Sequence, residues 1–242
     1  MRLDLYLYKN SYAESRTRAV EIIKKGGVKI DGKLISKPSY EYSGDGVIEV
    51  ETDILKYVSR GGYKLEGALD SFQIDVTGLV CVDIGASTGG FTDCLLKYGA
   101  KCVYAVDSGT QQLSDKLRDD KRVVSIENFN ARNLDDKTLG EKCDLAVMDV
   151  SFISQTLLYE AVSKVLKEDG IFVSLIKPQF EVGKAGIGKN GIVKDDKTRL
   201  AVIDRLKKEA LEKGLILQKT ITSPIRGKDG NIEFLGYFTK QS

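Results

Sequence analysis

From residue 79 onward the chain alternates short apolar runs with helical stretches, and this alternation limits the fold more than any other feature of the sequence. LVCVDIG (79–85), KCVYAVDSG (101–109), VVSIEN (123–128), CDLAVMDVS (143–151) and IFVSLIKPQF (171–180) read as strands. GGFTDCLLKYG (89–99), QQLSDKLRD (111–119) and SQTLLYEAVSKVLKEDG (154–170), the last closed by Gly170, read as helices. Nearly continuous apolar strands separated by helices predict a parallel sheet buried on both faces. TRLAVIDRLKKEALEKG (198–214) is a further amphipathic helix, and strands follow at 215–225 and 232–240. Only the turn RGKDGN (226–231) joins these two, so they are expected to pair antiparallel. The fold class is α/β, a doubly wound parallel sheet ending in an antiparallel hairpin.

A smaller α+β unit precedes it. Helical segments at 2–11 and 15–27 are followed by the hairpin VKIDGKLI (28–35), turning at Asp31-Gly32, and by a strand at 46–52. Ser15 caps the second helix, Ala19, Ile22 and Ile23 form its apolar face, and Gly26-Gly27 stops it. The expected division is a small domain at 1–54, a linker at 55–63 and the α/β domain at 64–242, which opens with a helix at 64–72. Residues 1–40 hold nine Lys/Arg against four Asp/Glu, although the whole chain is only +2. A basic head on a mildly acidic body fits either a solvated face or a polyanion-binding module. On the second reading Arg2, Lys9, Arg16, Arg18, Lys24, Lys25, Lys29 and Lys33 contact phosphates.

Histidine is absent, which excludes Ser-His and Cys-His catalysis within the chain. GASTG (85–89) matches the hydrolase elbow G-x-S-x-G but has no base to serve it. No phosphate-loop run G-x-x-x-x-G-K-[ST] occurs, and Ser87 stands where a dinucleotide fingerprint needs its second glycine. A methyl-donor loop is the remaining reading. Asp107, at the end of the next strand, can accept the ribose hydroxyls of a nucleoside, and Glu127-Asn128 on the third strand places a polar group for an adenine edge. Asp83 disfavours a triphosphate and tolerates a cationic sulfonium. The candidate cofactor residues are Asp83, Gly85, Ser87, Thr88, Gly89, Gly90, Phe91, Asp107 and Asn128. Four scattered cysteines without a C-x-x-C pair argue against zinc, and no metal is expected. The chain has no membrane-spanning apolar run and no signal-like start, so it reads as soluble and cytoplasmic.

Asp149 and Lys177 end the fourth and fifth strands. Lys64 lies in the helix before the first strand, and Glu233 opens the last one. Singly these are surface charges or structural ion pairs. Taken together they can instead form a Lys-Asp-Lys-Glu cluster at the cofactor mouth.

SRGGYKLEGAL, DIGASTGGFTDCLL, AVDSG, MDVSFIS, LIKPQFE and GNIEFL together resemble the TlyA/hemolysin A family, a group of FtsJ-like RNA 2′-O-methyltransferases. The resemblance covers nearly the whole chain, including a head similar to the S-four-like RNA-binding fold. It implies a Rossmann-like class I methyltransferase sheet, S-adenosyl-L-methionine as cofactor and 2′-O-methylation of ribose, cytidine above all, in ribosomal RNA or ribosomal subunits. The family's catalytic tetrad falls on Lys64, Asp149, Lys177 and Glu233, with Lys177 as base or orienter of the hydroxyl. Lys184 and Lys189, in the glycine- and lysine-rich stretch 182–194, read as part of a mobile loop that closes over RNA. Three other readings compete. A base-methylating enzyme would carry a Pro-Pro-aromatic platform where this chain has DVSF. A membrane-lytic protein is invited by the hemolysin name, but no apolar segment supports it. A ribosome-binding factor without catalysis would not need the tetrad.

Overall fold

The computed structural model describes residues 1–52, 54–183, 186–188, 191–193, 195–227 and 230–241. The chain divides into two compact units, Met1–Lys56 and Tyr57–Ser242.

The first unit contains α1 (Leu3–Lys9), α2 (Arg16–Lys24), β1 (Val28–Ile30), β2 (Lys33–Leu34) and β3 (Ile48–Val50). Ser15 Oγ accepts the Arg18 N–H at 3.1 Å and so caps α2. Ala19, Ile22 and Ile23 point inward and pack with Leu3, Leu7 and Val28. The strands form an antiparallel sheet in the order β2-β1-β3. Asp31 and Gly32 both have positive φ, +48° and +74°, the geometry that matches a two-residue turn to the twist of its strands.

In the second unit α3 (Gly61–Phe72) leads into β4 (Val80–Ile84), α4 (Gly90–Lys97), β5 (Cys102–Val106), α5 (Asp115–Arg118) and β6 (Val123–Ile126). Then come α6 (Asp136–Leu139), β7 (Cys143–Met148), α7 (Tyr159–Val165), β8 (Leu166–Ile176), α8 (Pro178–Glu181), α9 (Asp196–Leu211), β9 (Leu215–Thr222) and β10 (Phe234–Lys240). The sheet runs β6-β5-β4-β7-β8-β10-β9. β4 to β8 are parallel, and β10 lies antiparallel to both β8 and β9. Alternate residues of each strand serve different cores. Cys81, Leu145 and Val147 join one cluster, while Val82, Ala146 and Met148 join another. This is the period-2 pattern of a sheet covered on both faces.

Three local expectations are corrected. The segment 154–170 is helical only as far as Val165, and β8 begins at Leu166, so Gly170 lies within the strand rather than closing a helix. Cys143 pairs with Leu166 but Leu145 with Ile171, so residues between them bulge out, with Asp169 at φ +59°. The same strand stops at Ile176, because Pro178 starts a helical turn. α3 begins at Gly61, three residues before Lys64, so Gly61, Gly62 and Tyr63 are its first turn rather than linker. Within the stretch 182–194 the described residues are tied to one another and to Asn231. Ile187 bridges Val193, the Val193 N–H donates to Asn231 Oδ1 at 3.0 Å, and Asn231 Nδ2 donates to the Gly191 carbonyl. Lys184 and Lys189 lie outside the described residues. No helix among the described residues is long and apolar enough to cross a membrane.

Candidate active site

Parallel strands deliver their carboxyl ends to one edge of the sheet, where α/β folds bind ligands. Here β4 is followed by Gly85, β5 by Asp107, β6 by Glu127, β7 by Asp149 and β8 by Lys177. β10 runs the other way, so its start lies at this edge. Phe234 pairs with Ile176, and continuing that register sets Glu233 opposite Lys177.

The loop after β4 folds tightly on itself. Gly85 and Ala86 donate to the Val106 carbonyl, and Gly89 donates to that of Ala86. Gly85 has φ +84°, and a Cβ there would sit 2.7 Å from the Asp149 carbonyl oxygen. Gly89 has φ +94°, and its Cβ would collide with the Leu117 side chain. These two glycines are therefore demanded by the loop's own packing. Gly90 and Phe91 are buried at the start of α4, whereas Ser87 and Thr88 form the exposed tip. Ser87 itself has φ +49°.

Two carboxylates organise this loop. Asp107 Oδ2 accepts the Ser87 N–H at 2.8 Å and Oδ1 accepts the Gly109 N–H at 2.7 Å. It ties the tips of two strand-end loops together and keeps a free lone pair on each oxygen. Asp83 is fully buried. Its Oδ2 accepts from Thr92 N and Thr92 Oγ1, at 2.9 and 2.7 Å, while Oδ1 has no hydrogen-bond partner. Burial pushes the Asp83 carboxyl up to about 7, against the lowering effect of Thr92.

Of the Glu127-Asn128 pair expected near an adenine edge, Glu127 is engaged by the protein itself. Its carboxylate accepts N–H groups from Gln111, Gln112 and Leu113 and pairs with Arg118 at 3.1 Å. These bonds, the Gln111 N–H foremost, hold its carboxyl down to about 2. Glu127 thus clamps the 111–113 segment, which the sequence had suggested as helix; α5 starts only at Asp115. Asn128 is exposed beside it at φ +54°, and its N–H donates to the Gly109 carbonyl.

The four charged candidates form two pairs. Lys64 Nζ donates to Glu233 Oε2 at 2.7 Å, and both residues are buried. Lys177 Nζ lies 2.5 Å from Asp149 Oδ1. The Asp149 N–H donates to the Ile84 carbonyl, so this pair adjoins the loop that begins at Gly85. The two pairs are linked through α8, where Gln179 Nε2 donates to Glu233 Oε1 at 3.0 Å.

Three residues at this edge escaped the sequence reading. Gln179 sits in LIKPQF, two positions past Lys177, and its adjacency was the available signal. Ser151 accepts a 2.8 Å hydrogen bond from Lys177 Nζ. Phe152 is 90% exposed at φ +65°, with its ring centroid 5.0 Å from that of Phe180. An aromatic ring left in water beside a charged cluster is a ready surface for a flat ligand.

The basic residues lie in the first unit. Arg2 donates to both oxygens of Asp4 at 3.0 Å, and Arg16 Nε donates to Asp4 Oδ2 at 3.0 Å. The Asp4 side chain is 2% exposed, whereas those of Arg2 and Arg16 are 44% and 50% exposed. The Arg2 guanidinium holds the Asp4 carboxyl below its usual range despite burial. Arg18 lies 3.8 Å from Glu21. Lys9, Lys24, Lys25, Lys29 and Lys33 are exposed.

Comparison with known proteins identifies relatives over the whole chain. The chain is 41% identical over 242 residues to the 16S/23S rRNA (cytidine-2′-O)-methyltransferase TlyA of Mycobacterium tuberculosis, covering all of this chain and 90% of that protein. It is 44% identical to hemolysin A of Brachyspira hyodysenteriae, covering 98% and 99% of the two chains. A solved structure of a hemolysin-named protein from Streptococcus thermophilus superposes with a TM-score of 0.79 at 41% identity, over 100% of this chain and 89% of that one. An S4 domain matches residues 1–48. Residues 57–240 match the FtsJ-like methyltransferase model, and the chain belongs to that family.

Proposed function

We propose that the protein methylates the 2′-hydroxyl of cytidine in ribosomal RNA, within ribosomal subunits in the cytoplasm, with S-adenosyl-L-methionine as the methyl donor. Residues 1–54 bind RNA, a short connection follows, and the part from α3 (Gly61–Phe72) to residue 242 carries the chemistry. The observation that supports this most is the Lys177–Asp149 pair set against the Gly85 loop and across from Glu233.

The donor set suits a cationic nucleoside. Asp107 keeps a lone pair on each carboxylate oxygen for a ribose, Asn128 stands exposed at the neighbouring strand end, and buried Asp83 has one unpartnered oxygen. Gly85, Ser87, Thr88, Gly89, Gly90 and Phe91 shape the loop between them. When bound, the cofactor supplies a methyl group already activated on sulfur, so the protein's main task is alignment. Lys177, as the neutral amine, directs the 2′-hydroxyl and takes its proton. Asp149 balances the charge that Lys177 gains with that proton. Lys64 and Glu233 cancel each other and, through Gln179, hold the turn that bears Lys177. Phe152 offers its face to the nucleobase, as aromatic side chains do for unstacked bases in RNA. In the first unit Arg2, Lys9, Arg16, Arg18, Lys24, Lys25, Lys29 and Lys33 meet phosphates, which secures RNA without reading its sequence.

The test is incubation of the protein with isotopically labelled cofactor and unmodified ribosomal subunits, followed by nuclease digestion and mass spectrometry. The expected product is 2′-O-methylcytidine, absent with Lys177→Ala. Label on a base, or undiminished turnover by Lys177→Ala, would refute the assignment.

A further inference from the structure

The Lys177 amine has two neighbours of different character. Asp149 Oδ1 lies within ion-pair distance, yet no hydrogen bond joins the two, and Oδ1 has no hydrogen-bond partner. The directional bond of the amine runs instead to Ser151 Oγ, at 2.8 Å. Coulomb attraction between a carboxylate and the ammonium that forms when the amine takes the proton depends on distance and hardly on angle. A hydrogen bond weakens steeply when bent. The carboxylate therefore supplies charge, and the serine hydroxyl supplies aim.

Both ends of the Lys177–Ser151 bond belong to one fixed assembly. Behind Ser151, the Asp149 N–H is tied to the Ile84 carbonyl. Ahead of it, Phe152 is held in the left-handed region, a conformation that a bulky side chain keeps only under constraint. Two residues further, Ser154 Oγ and the Gln155 N–H bond to the carboxylate of Glu181, at 2.7 and 2.8 Å. Glu181 ends α8, the turn that Lys177 caps, and Arg205 of α9 grips it at 2.7 Å. The segment carrying Ser151 is thus strapped to the turn carrying Lys177. Ser151 itself is exposed, so its hydroxyl fills no place in the core.

We propose that Ser151 is a positioning residue for methyl transfer, aiming the Lys177 amine at the substrate hydroxyl. The inference rests on the role given to Lys177 above. Without Ser151 Oγ the amine keeps the neighbouring carboxylate, and with it the balance for the charge it gains, but swings freely about Asp149. Misplacement of a reacting group by about 1 Å costs on the order of 100-fold in rate.

The experiment compares Ser151→Ala, Ser151→Thr and Lys177→Ala in the full chain, with labelled S-adenosyl-L-methionine and unmodified small and large ribosomal subunits. Ser151→Ala is expected to lower kcat by roughly 10- to 100-fold. KM for the cofactor and the melting temperature should stay at their wild-type values, which a merely structural residue would not allow. Ser151→Thr keeps the hydroxyl and should recover most of the rate. Wild-type kcat in Ser151→Ala alongside an inactive Lys177→Ala overturns the role of Ser151 alone, as does a Ser151→Thr variant no faster than Ser151→Ala. Normal turnover by Lys177→Ala overturns the role of Lys177, and that of Ser151 with it.

Discussion

Lys64 and Glu233 stand 169 positions apart in sequence and share a 2.7 Å hydrogen bond in a buried setting. The pair joins α3 to the start of β10, and neither partner forms another ion pair among the described residues. Breaking a buried pair strands a desolvated charge at a cost of about 3–5 kcal/mol, whereas replacing both partners by apolar groups is often neutral. Lys64→Met and Glu233→Gln should each destabilise the protein by an amount in that range in urea titrations. Lys64→Met combined with Glu233→Leu should regain much of the stability while remaining inactive. A double variant as unstable as the sum of the singles would show that the pair contributes nothing jointly.

Asp83 gives the stability a pH dependence of definite sign. Its folded carboxyl is raised from 3.8 to about 7, so between those values the native state holds a proton that the unfolded chain has released. Stability contributed by Asp83 is therefore present below about 4 and is lost as pH rises to about 7. Asp83→Asn removes this slope, and its stability relative to wild type should climb over that window. The same ionisation favours a cationic ligand, so S-adenosyl-L-methionine should bind more tightly at pH 8 than at pH 6 in calorimetry, and this gain should vanish in Asp83→Asn.

Asp107 joins two loops through the N–H groups of Ser87 and Gly109. An amide at this position offers one acceptor atom in place of two, leaving one N–H unanswered at a cost of about 1–3 kcal/mol. Asp107→Asn should raise KM for the cofactor by roughly 5- to 100-fold. Its kcat at saturating cofactor should stay near wild type. A fall in kcat without a rise in KM would place Asp107 with the reacting groups instead.

Asp4 makes a prediction whose sign runs against net charge. Removing a carboxylate from a basic surface normally tightens RNA binding. Here the buried carboxylate holds Arg2 and Arg16 together on the surface, so Asp4→Asn should weaken binding to ribosomal RNA about tenfold and flatten its salt dependence. In a background already carrying Arg2→Ala and Arg16→Ala the same change should do little. Equal effects in both backgrounds would mean that Asp4 acts through the stability of α1, not through its arginines.

The sequence makes the outline of this site legible because strand ends are easy to find. Five apolar runs end in or beside Asp83, Asp107, Glu127, Asp149 and Lys177, and the topology of a parallel sheet brings such ends together. The antiparallel setting of β10, which carries Glu233 to the same edge, follows from the absence of a helix between the last two strands. Other features were hidden for physical reasons. Lys167-Glu168-Asp169-Gly170 has the composition of a helix terminus, and only pairing with β7 makes it a bulge in a strand. Glu127 looked free to meet a ligand because the N–H groups that consume it leave no trace in a one-letter code. Ser151 gave no signal of its own, since a hydroxyl acquires meaning only from the amine beside it.

The place of β10 between β8 and β9 bears on when the protein becomes active. β10 is synthesised after every other strand, yet it occupies an interior slot. A nascent chain extruded only as far as β9 lacks both the β10 ladder and the counter-charge for Lys64. Translation must pass Glu233 and free the following segment before the sheet and its buried ion pair can be completed.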